Sequence, residues 1–211
     1  IVPQLAADGD ESNIPEALDE HSAIIHDEKM YIFGGFVNGE RDNRIFAFDF
    51  VSNKWQAIKP TSADDNMPCP RAGHTAIKQV SANGGHFMII FGGKDNENDK
   101  LNDLWRFDLV AKKWEKLEPN GQLPMERSGH SACNYNGYML IFGGLFEITK
   151  ELNDSFLYDF EKNTWISFFA ESGSFSPRSG SPLSIQKKKT RGHVSTACAG
   201  SETPDPNFTA T

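Results

Sequence analysis

Arginine side chains recur at a fixed place in this sequence and are its first candidates for chemistry. Arg71-Ala72-Gly73-His74 is matched by Arg127-Ser128-Gly129-His130, and Arg178-Ser179-Gly180-Ser181 keeps the arginine but not the histidine. A guanidinium binds a carboxylate through two parallel hydrogen bonds, so these arginines are candidates for holding an acidic peptide. The alternative is that each arginine forms a salt bridge to the protein's own Asp or Glu in a neighbouring structural unit.

His74 and His130 close these motifs, and an imidazole at such a place can ligate a metal ion. Each histidine stands at the same position ahead of an apolar segment. A hydrogen bond to the backbone at the start of a strand therefore explains them more simply than a metal. We keep both as candidate partner-binding residues beside the arginines, and we predict no metal site.

Motifs for other chemistry are missing from the sequence. It contains no glycine-rich phosphate loop, no His-Glu-x-x-His and no Gly-x-Ser-x-Gly. We therefore expect a protein that is not an enzyme and that needs no bound cofactor. The basic run Lys187–Lys189 with Arg191 has the composition of a targeting or nucleic-acid patch, but a solvated charged tail is the simpler explanation.

Composition narrows the choice of partners and location. The 211 residues include 21 Lys and Arg against 29 Asp and Glu, a net charge of −8, which argues against nucleic acid as a general partner. No apolar run approaches the roughly 18 residues that cross a bilayer, so we expect no membrane partner. Three widely spaced cysteines indicate free thiols and a cytoplasmic location. Because the chain begins at Ile1 rather than Met, we expect it to be part of a longer protein.

Internal repeats show which elements must position these residues. Double glycines close three apolar segments and lie 58 and 51 residues apart, and three tryptophans recur at intervals of 59 and 51. Each tryptophan follows an aspartate by six residues, and an aromatic residue precedes each aspartate. The repeated positions are Gly34-Gly35, Gly92-Gly93 and Gly143-Gly144, then Asp49, Asp108 and Asp159, then Trp55, Trp114 and Trp165.

Each copy predicts a four-stranded antiparallel sheet. The first strand follows the histidine, the second ends at the glycines, the third ends at the aspartate and the fourth carries the tryptophan. The second strand is apolar on both faces, so the sheets must stack on one another, and radial stacking is the propeller solution. We expect positive φ or close chain approach at the glycines, turn capping by the aspartates and packing between sheets by the tryptophans.

The combined pattern resembles the kelch repeat over residues 18–181. The resemblance implies an all-β, kelch-type β-propeller that is incomplete here, with three four-stranded blades and the start of a fourth. It divides the chain into an N-terminal segment 1–17, repeats at 18–59, 60–118 and 119–168, the start of a fourth repeat at 169–186, and a divergent tail without fixed structure at 187–211.

Departures from the pattern have structural consequences. The first repeat has Leu18 and Glu20 where arginine and glycine are expected, and the second has a longer first hairpin at 81–85. The fourth has Val194-Ser195 where its double glycine should fall. Since three blades and a stub do not close a ring, we expect further blades or self-association to cover the open sheet faces.

The resemblance also implies where a partner protein or peptide binds. In kelch propellers the loops after strand two and before strand one lie on one face; here the former are residues 36–44, 94–103 and 145–154. Phe36 and Phe146 are candidate anchors there. The main hypothesis is a non-catalytic adaptor or scaffold. The alternatives are the substrate-recognition part of a ubiquitin ligase and a metal-dependent propeller enzyme, although the Glu-x-x-x-Asp-x-x-x-His cluster of one such enzyme type is missing.

Overall fold

The computed structural model describes residues 13–63, 66–147, 149–168, 184–190 and 193–199, and every extended element within them is a β-strand. Three sheets follow one another along the chain, and we call them blades 1, 2 and 3. Blade 1 comprises β1 Ser22–His26, β2 Lys29–Val37, β3 Glu40–Asp49 and β4 Lys54–Ile58; blade 2 comprises β5 Thr75–Val80, β6 His86–Lys94, β7 Lys100–Asp108 and β8 Lys113–Leu117; blade 3 comprises β10 Ser131–Tyr135, β11 Tyr138–Leu145, β12 Glu151–Asp159 and β13 Thr164–Phe168, joined by β9 Asn120–Gly121.

Strand order within each blade follows the chain, and all consecutive pairs are antiparallel. The linker from one blade runs along the outer edge of the next. The amide of Thr61 donates to the Lys112 carbonyl at 2.7 Å, and β9 pairs in parallel with β13. These contacts occupy backbone groups that an exposed edge strand would leave unpaired.

Two apolar cores lie between the three blades, one on each side of blade 2. Trp114 of blade 2 contacts Phe33 of blade 1 with ring centroids 5.0 Å apart. Trp165 of blade 3 repeats this contact with Phe91 of blade 2, also at 5.0 Å. The prediction that the tryptophans pack one sheet against the next is confirmed for these two.

The double glycines allow the next blade to approach closely. Gly92 has φ +64°, and a Cβ there would lie 2.8 Å from the Arg127 carbonyl oxygen of the following blade. Gly93 has φ +103° and donates its amide to the same oxygen at 2.8 Å. Gly34 and Gly35 make the corresponding contacts with Arg71. Both functions expected of these glycines, positive φ and close approach, are confirmed.

The repeated aspartates cap the hairpins between the third and fourth strands. Oδ1 of Asp108 accepts hydrogen bonds from the amides of Val110 and Ala111, both at 2.8 Å. Asp49 and Asp159 accept equivalent pairs of amide bonds in blades 1 and 3. These bonds fix the turn that brings each tryptophan strand back along its sheet.

Beyond blade 3, the backbone forms one further hairpin. Its strands are β14 Ser184–Thr190 and β15 His193–Ala199, paired antiparallel from Ser184↔Ala199 to Thr190↔His193. The expectation of a tail without fixed structure from residue 187 is therefore not met over these strands, because backbone pairing orders them without the double glycine of the other repeats. Among the described residues there is no helix with the length and apolarity needed to span a membrane.

Candidate functional site

Arg71 lies inside blade 2 and is saturated with hydrogen bonds. Its guanidinium donates to both carboxylate oxygens of Asp103, at 2.6 and 2.7 Å, and to the Gly92 carbonyl at 3.1 Å. The remaining donors reach the carbonyl oxygen and Sγ of Cys69 at 3.3 and 3.4 Å. The Arg71 side chain is 0% exposed. All five N–H groups of this guanidinium are therefore used within the chain.

Asp103 is held as a carboxylate by this arrangement. Burial alone would raise its pKa, but the hydrogen bonds and charge of Arg71 keep the pKa of Asp103 below its ordinary value. The Trp105 indole N–H adds a further bond to Oδ2 at 2.7 Å. Arginine and aspartate are therefore a neutralised internal pair that joins the segment before β5 to β7 of the same blade.

Arg127 repeats the arrangement in blade 3. It donates to the two oxygens of Asp154 at 2.6 and 2.9 Å, and to the carbonyls of Gly143 and Met125, both at 3.0 Å. Its side chain is also 0% exposed, and its guanidinium lies over the Phe156 ring, 5.6 Å from the centroid.

The hypothesis that the arginines bind an acidic peptide is therefore wrong for Arg71 and Arg127. The alternative, a salt bridge to the protein's own aspartate, holds, but the bridge lies within one blade rather than between two. The reason is that the guanidinium reaches across the end of the second strand, where it also bonds a glycine carbonyl, to the aspartate on the third strand. Arg178 lies outside the described residues.

Blade 1 lacks this internal pair because both members are replaced. By position in the repeat, Leu18 stands where the arginine is expected and Arg44 where the aspartate is expected. Arg44 instead bonds Asp42, two residues away, through Nε and Nη2 at 2.7 and 2.6 Å. The Arg44 side chain is 52% exposed while Asp42 is buried, so the arginine of this pair reaches the surface, unlike the buried arginines of the other two blades.

The two histidines contact the preceding blade rather than the backbone of their own. Nε2 of His74 lies 2.7 Å from Ser22 Oγ, and Nε2 of His130 lies 2.7 Å from Thr75 Oγ1. Burial lowers the pKa of His74 to about 3 and holds the pKa of His130 well below its ordinary value. Both rings are therefore neutral, buried parts of the blade interfaces, and the hypothesis that they bind a partner does not fit this placement.

Two asparagines that the sequence analysis missed hold the linkers between blades. Nδ2 of Asn43 donates to the Pro68 carbonyl at 3.1 Å, and Nδ2 of Asn102 donates to the Pro124 carbonyl at 3.3 Å. Each precedes the aspartate position of its repeat, so the recurring Asn in Asp-Asn-Arg and Leu-Asn-Asp was the available signal. These bonds hold the linker between two blades against the blade that precedes it.

The connections after the second strands form the surface left for binding, and we call it the hairpin-tip face. These connections are shorter than expected, because strand pairing continues beyond the glycines, for example at Gly35↔Asp42 and Val37↔Glu40. The predicted loops at 36–44, 94–103 and 145–154 are corrected to residues 38–39, 95–99 and, among the described residues, 146–147 with 149–150.

The candidate anchors Phe36 and Phe146 both lie on this face. The Phe36 side chain is 39% exposed, and the Arg41 guanidinium lies 5.7 Å from its ring centroid. Phe146 is partly exposed, and Lys150 Nζ lies 5.0 Å from its centroid. Each aromatic ring therefore carries a cation from the returning side of its hairpin.

The tips of blades 1 and 2 touch. Asn96 Oδ1 accepts the Arg41 amide at 2.8 Å, and Asn98 Oδ1 accepts a bond from Arg41 Nη2 at 2.6 Å. A shallow groove of about 290 Å³ opens beside this contact. It is lined by Val37, Asn38, Glu40, Arg41, Asp42 and Arg44.

The described part of the chain offers no metal-binding cluster. No group of three or more His, Cys, Asp or Glu side chains within it is arranged to hold a metal ion. The buried histidines bond hydroxyls that lie between packed sheets, away from solvent.

Comparison with known proteins agrees with the repeat architecture. The KLHDC2/KLHL20/DRC7 Kelch-repeats domain model matches residues 60–195, and the Kelch motif model matches residues 19–62. A Rho GTPase-activating protein, gacHH, of Dictyostelium discoideum is 32% identical over 87% of this chain and 12% of its own length. Kelch domain-containing protein 3 of Bos taurus is 29% identical over 67% of the chain and 37% of its own length.

These relatives are much longer than the matching region. Host cell factor 2 of Homo sapiens is 32% identical over 70% of this chain but only 20% of its own length. The chain therefore spans less than half of each of these relatives. The family models together cover most of the three blades, and the chain belongs to the kelch-repeat family, whose members typically mediate protein–protein interaction.

Proposed function

We propose that this chain is a non-catalytic protein-binding module that receives a partner protein or peptide on the hairpin-tip face. The observation that carries the proposal is the partly exposed Phe36 ring beneath Arg41, which also lines the open groove of blade 1. In blades 2 and 3, Arg71 and Arg127 are buried against aspartates. Blade 1 has no arginine at their position in the repeat and exposes Arg44 at a different one. Residues that repeat in the blades build the propeller, and residues that differ at its surface are those available for recognition.

Phe36 is the central anchor of the proposed contact. Its ring is partly exposed and already carries a cation on one face, so a partner's apolar side chain can cover the remaining surface. Arg41 fixes the position of this ring because it also bonds the blade 2 tip. The contact therefore draws on two blades, as expected for recognition by a rigid scaffold.

The charge of the face favours a basic partner over the acidic peptide considered from sequence. Arg71 and Arg127 are neutralised internally and contribute no free positive charge. The hairpin tips expose the carboxylates of Glu40, Glu97, Asp99 and Glu147. Arg41 and Lys150 lie over aromatic rings at the same tips. A partner with basic residues around an apolar centre would complement this arrangement.

Site-specific photo-crosslinking of the full chain tests the proposal. A photoreactive amino acid at position 36 should capture a discrete partner from cell extract, and F36A should lower the binding of that purified partner about tenfold or more. The matched control places the same probe at Val51, which is 72% exposed on the hairpin at the opposite end of β3. Equal capture of the same protein from both positions would contradict the proposal.

The charge argument has its own test with the captured partner. The E97K and D99K substitutions reverse exposed charges and leave the cores unchanged. They should therefore weaken the binding of a basic partner and reduce the salt dependence of that binding. Tighter binding to these variants would show that the partner is acidic. An adaptor and a ligase subunit share this surface, so partner ubiquitination in the presence and absence of the chain separates these two roles.

A further inference from the structure

A pair of histidines joins blades 1 and 2 at the end of the interface opposite the hairpin-tip face. The rings of His26 on β1 and His86 on β6 have centroids 4.4 Å apart and planes inclined by 31°. His26 is buried, and Nδ1 of each ring is buried without a hydrogen-bond partner. We propose that this His26–His86 contact is an acid-sensitive connection that holds the two blades together in the neutral state and loosens on protonation.

Comparison between blades indicates that this contact is not part of the repeat. At the position of His26, β5 has Gln79 and β10 has Tyr135. At the position of His86, the first residue of β6, blade 1 has Glu28 and blade 3 has Gly137. Within the described blades, stacked imidazoles therefore occur only between blades 1 and 2. The architecture alone does not require them.

The charged groups around the two rings determine whether protonation strengthens or weakens the contact. Asp27, in the turn after β1, has Oδ2 3.2 Å from His26 Nε2, but its side chain is 82% exposed and its attraction is screened. Lys78 on β5 and His86 on β6 both disfavour a positive charge on the His26 ring. Lys29, paired with His26 in register, has its ammonium 3.3 Å from Asp49. Two imidazolium rings at this separation would therefore repel, with little compensation.

The pH range follows from the state of His26 in the folded chain. Burial is the largest influence and lowers the pKa of His26, Asp27 opposes it, and Lys78 and His86 lower it further. A histidine with a lowered folded-state pKa contributes its full stability above its ordinary value of 6.5. That contribution is lost as the pH falls below 6.5, because the opened state then binds the proton more tightly.

Loosening this contact has a consequence at the other end of the same interface. Arg41 joins the tips of blades 1 and 2 through Asn96 and Asn98. A shift of blade 1 against blade 2 would alter the groove beside Phe36. This consequence rests on the proposed function, whereas the acid-sensitive contact itself does not.

Nuclear magnetic resonance titration of the full chain without partner tests the contact directly. The His26 ring signals should titrate below the ordinary histidine value, and in H86F their midpoint should move up because one opposing charge is removed. H86Q serves as a second non-titrating variant if H86F does not fold. H21Q removes an exposed histidine away from the contact and should leave the His26 midpoint unchanged.

Amide exchange supplies the second measurement. After correction for intrinsic rates, β1 and β6 amides should exchange about threefold faster or more near pH 5.5 than near pH 7.5, and H86F should reduce this difference. An unchanged His26 midpoint in both His86 variants, or equal corrected exchange at the two pH values, would overturn the proposal. If these results hold while partner binding near pH 7.5 is independent of Phe36, only the proposed function fails.

Discussion

Asp103 accepts hydrogen bonds from the side chains of both Arg71 and Trp105, so one carboxylate joins the start of blade 2 to its third strand. Trp105 in turn lies in the core between blades 1 and 2, with its ring centroid 6.4 Å from that of Trp114. The ion pair and the apolar core therefore support each other. Through Arg71, this carboxylate holds the segment that enters β5.

Replacing Asp103 with Asn should destabilise the chain strongly. The fully buried Arg71 charge would lose its counter-charge, and breaking such a pair costs about 3–5 kcal/mol in unfolding free energy. Denaturant unfolding measures this loss. D42N, at the blade 1 pair whose arginine is exposed, is the matched control and should cost less because Arg44 remains hydrated. Similar losses in both variants would contradict the assigned difference between the blades.

Trp114→Ala should be more destabilising than Trp55→Ala. Trp114 is fully buried against Phe33 and Phe107, and such a truncation costs about 3–5 kcal/mol because it leaves a cavity. Trp55 is only partly buried and contacts Phe48 of its own blade. The unfolding free energies of the two variants measure the difference. A larger loss for Trp55→Ala would contradict the difference in burial between the two rings.

Gly92→Ala should cost more than Gly84→Ala, although both glycines have positive φ. Alanine in this backbone region costs about 1–2 kcal/mol in either place. At Gly92 the added Cβ also meets the Arg127 carbonyl at 2.8 Å, whereas nothing lies within 4 Å of one at Gly84. The excess destabilisation of G92A, measured by thermal or denaturant unfolding, therefore reports the close approach of blades 2 and 3. Equal effects would argue against that approach.

Stability should fall as the pH drops below about 6.5, and His74 should contribute to the fall. Burial lowers the pKa of His74 to about 3. Between pH 6.5 and 3, the unfolded chain therefore binds a proton at this ring that the folded chain does not bind. The stability from neutral His74 is complete above pH 6.5 and declines toward pH 3. His74→Gln should flatten the pH dependence of the unfolding free energy between about pH 4.5 and 6.5. An unchanged slope in this variant would contradict the assignment.

Recurring spacing was sufficient to predict the all-β blades, because apolar second strands, capping aspartates and paired glycines act through local backbone geometry. Trp114 and Trp165 were placed correctly for the same reason: a tryptophan on an outer strand has only the neighbouring sheet to pack against. The double glycine was not necessary for a hairpin, since β14 and β15 pair without one.

The roles of the polar residues were decided only by the tertiary structure. Arg71 and Asp103 are 32 residues apart, and whether a guanidinium meets its own aspartate or a partner depends on how the chain packs across the second strand that separates them. His74 finds Ser22, 52 residues away, because two separate sheets pack together. Sequence spacing specifies a repeat and its strands through local interactions. It does not specify which polar atoms face each other across packed sheets, because that depends on long-range burial.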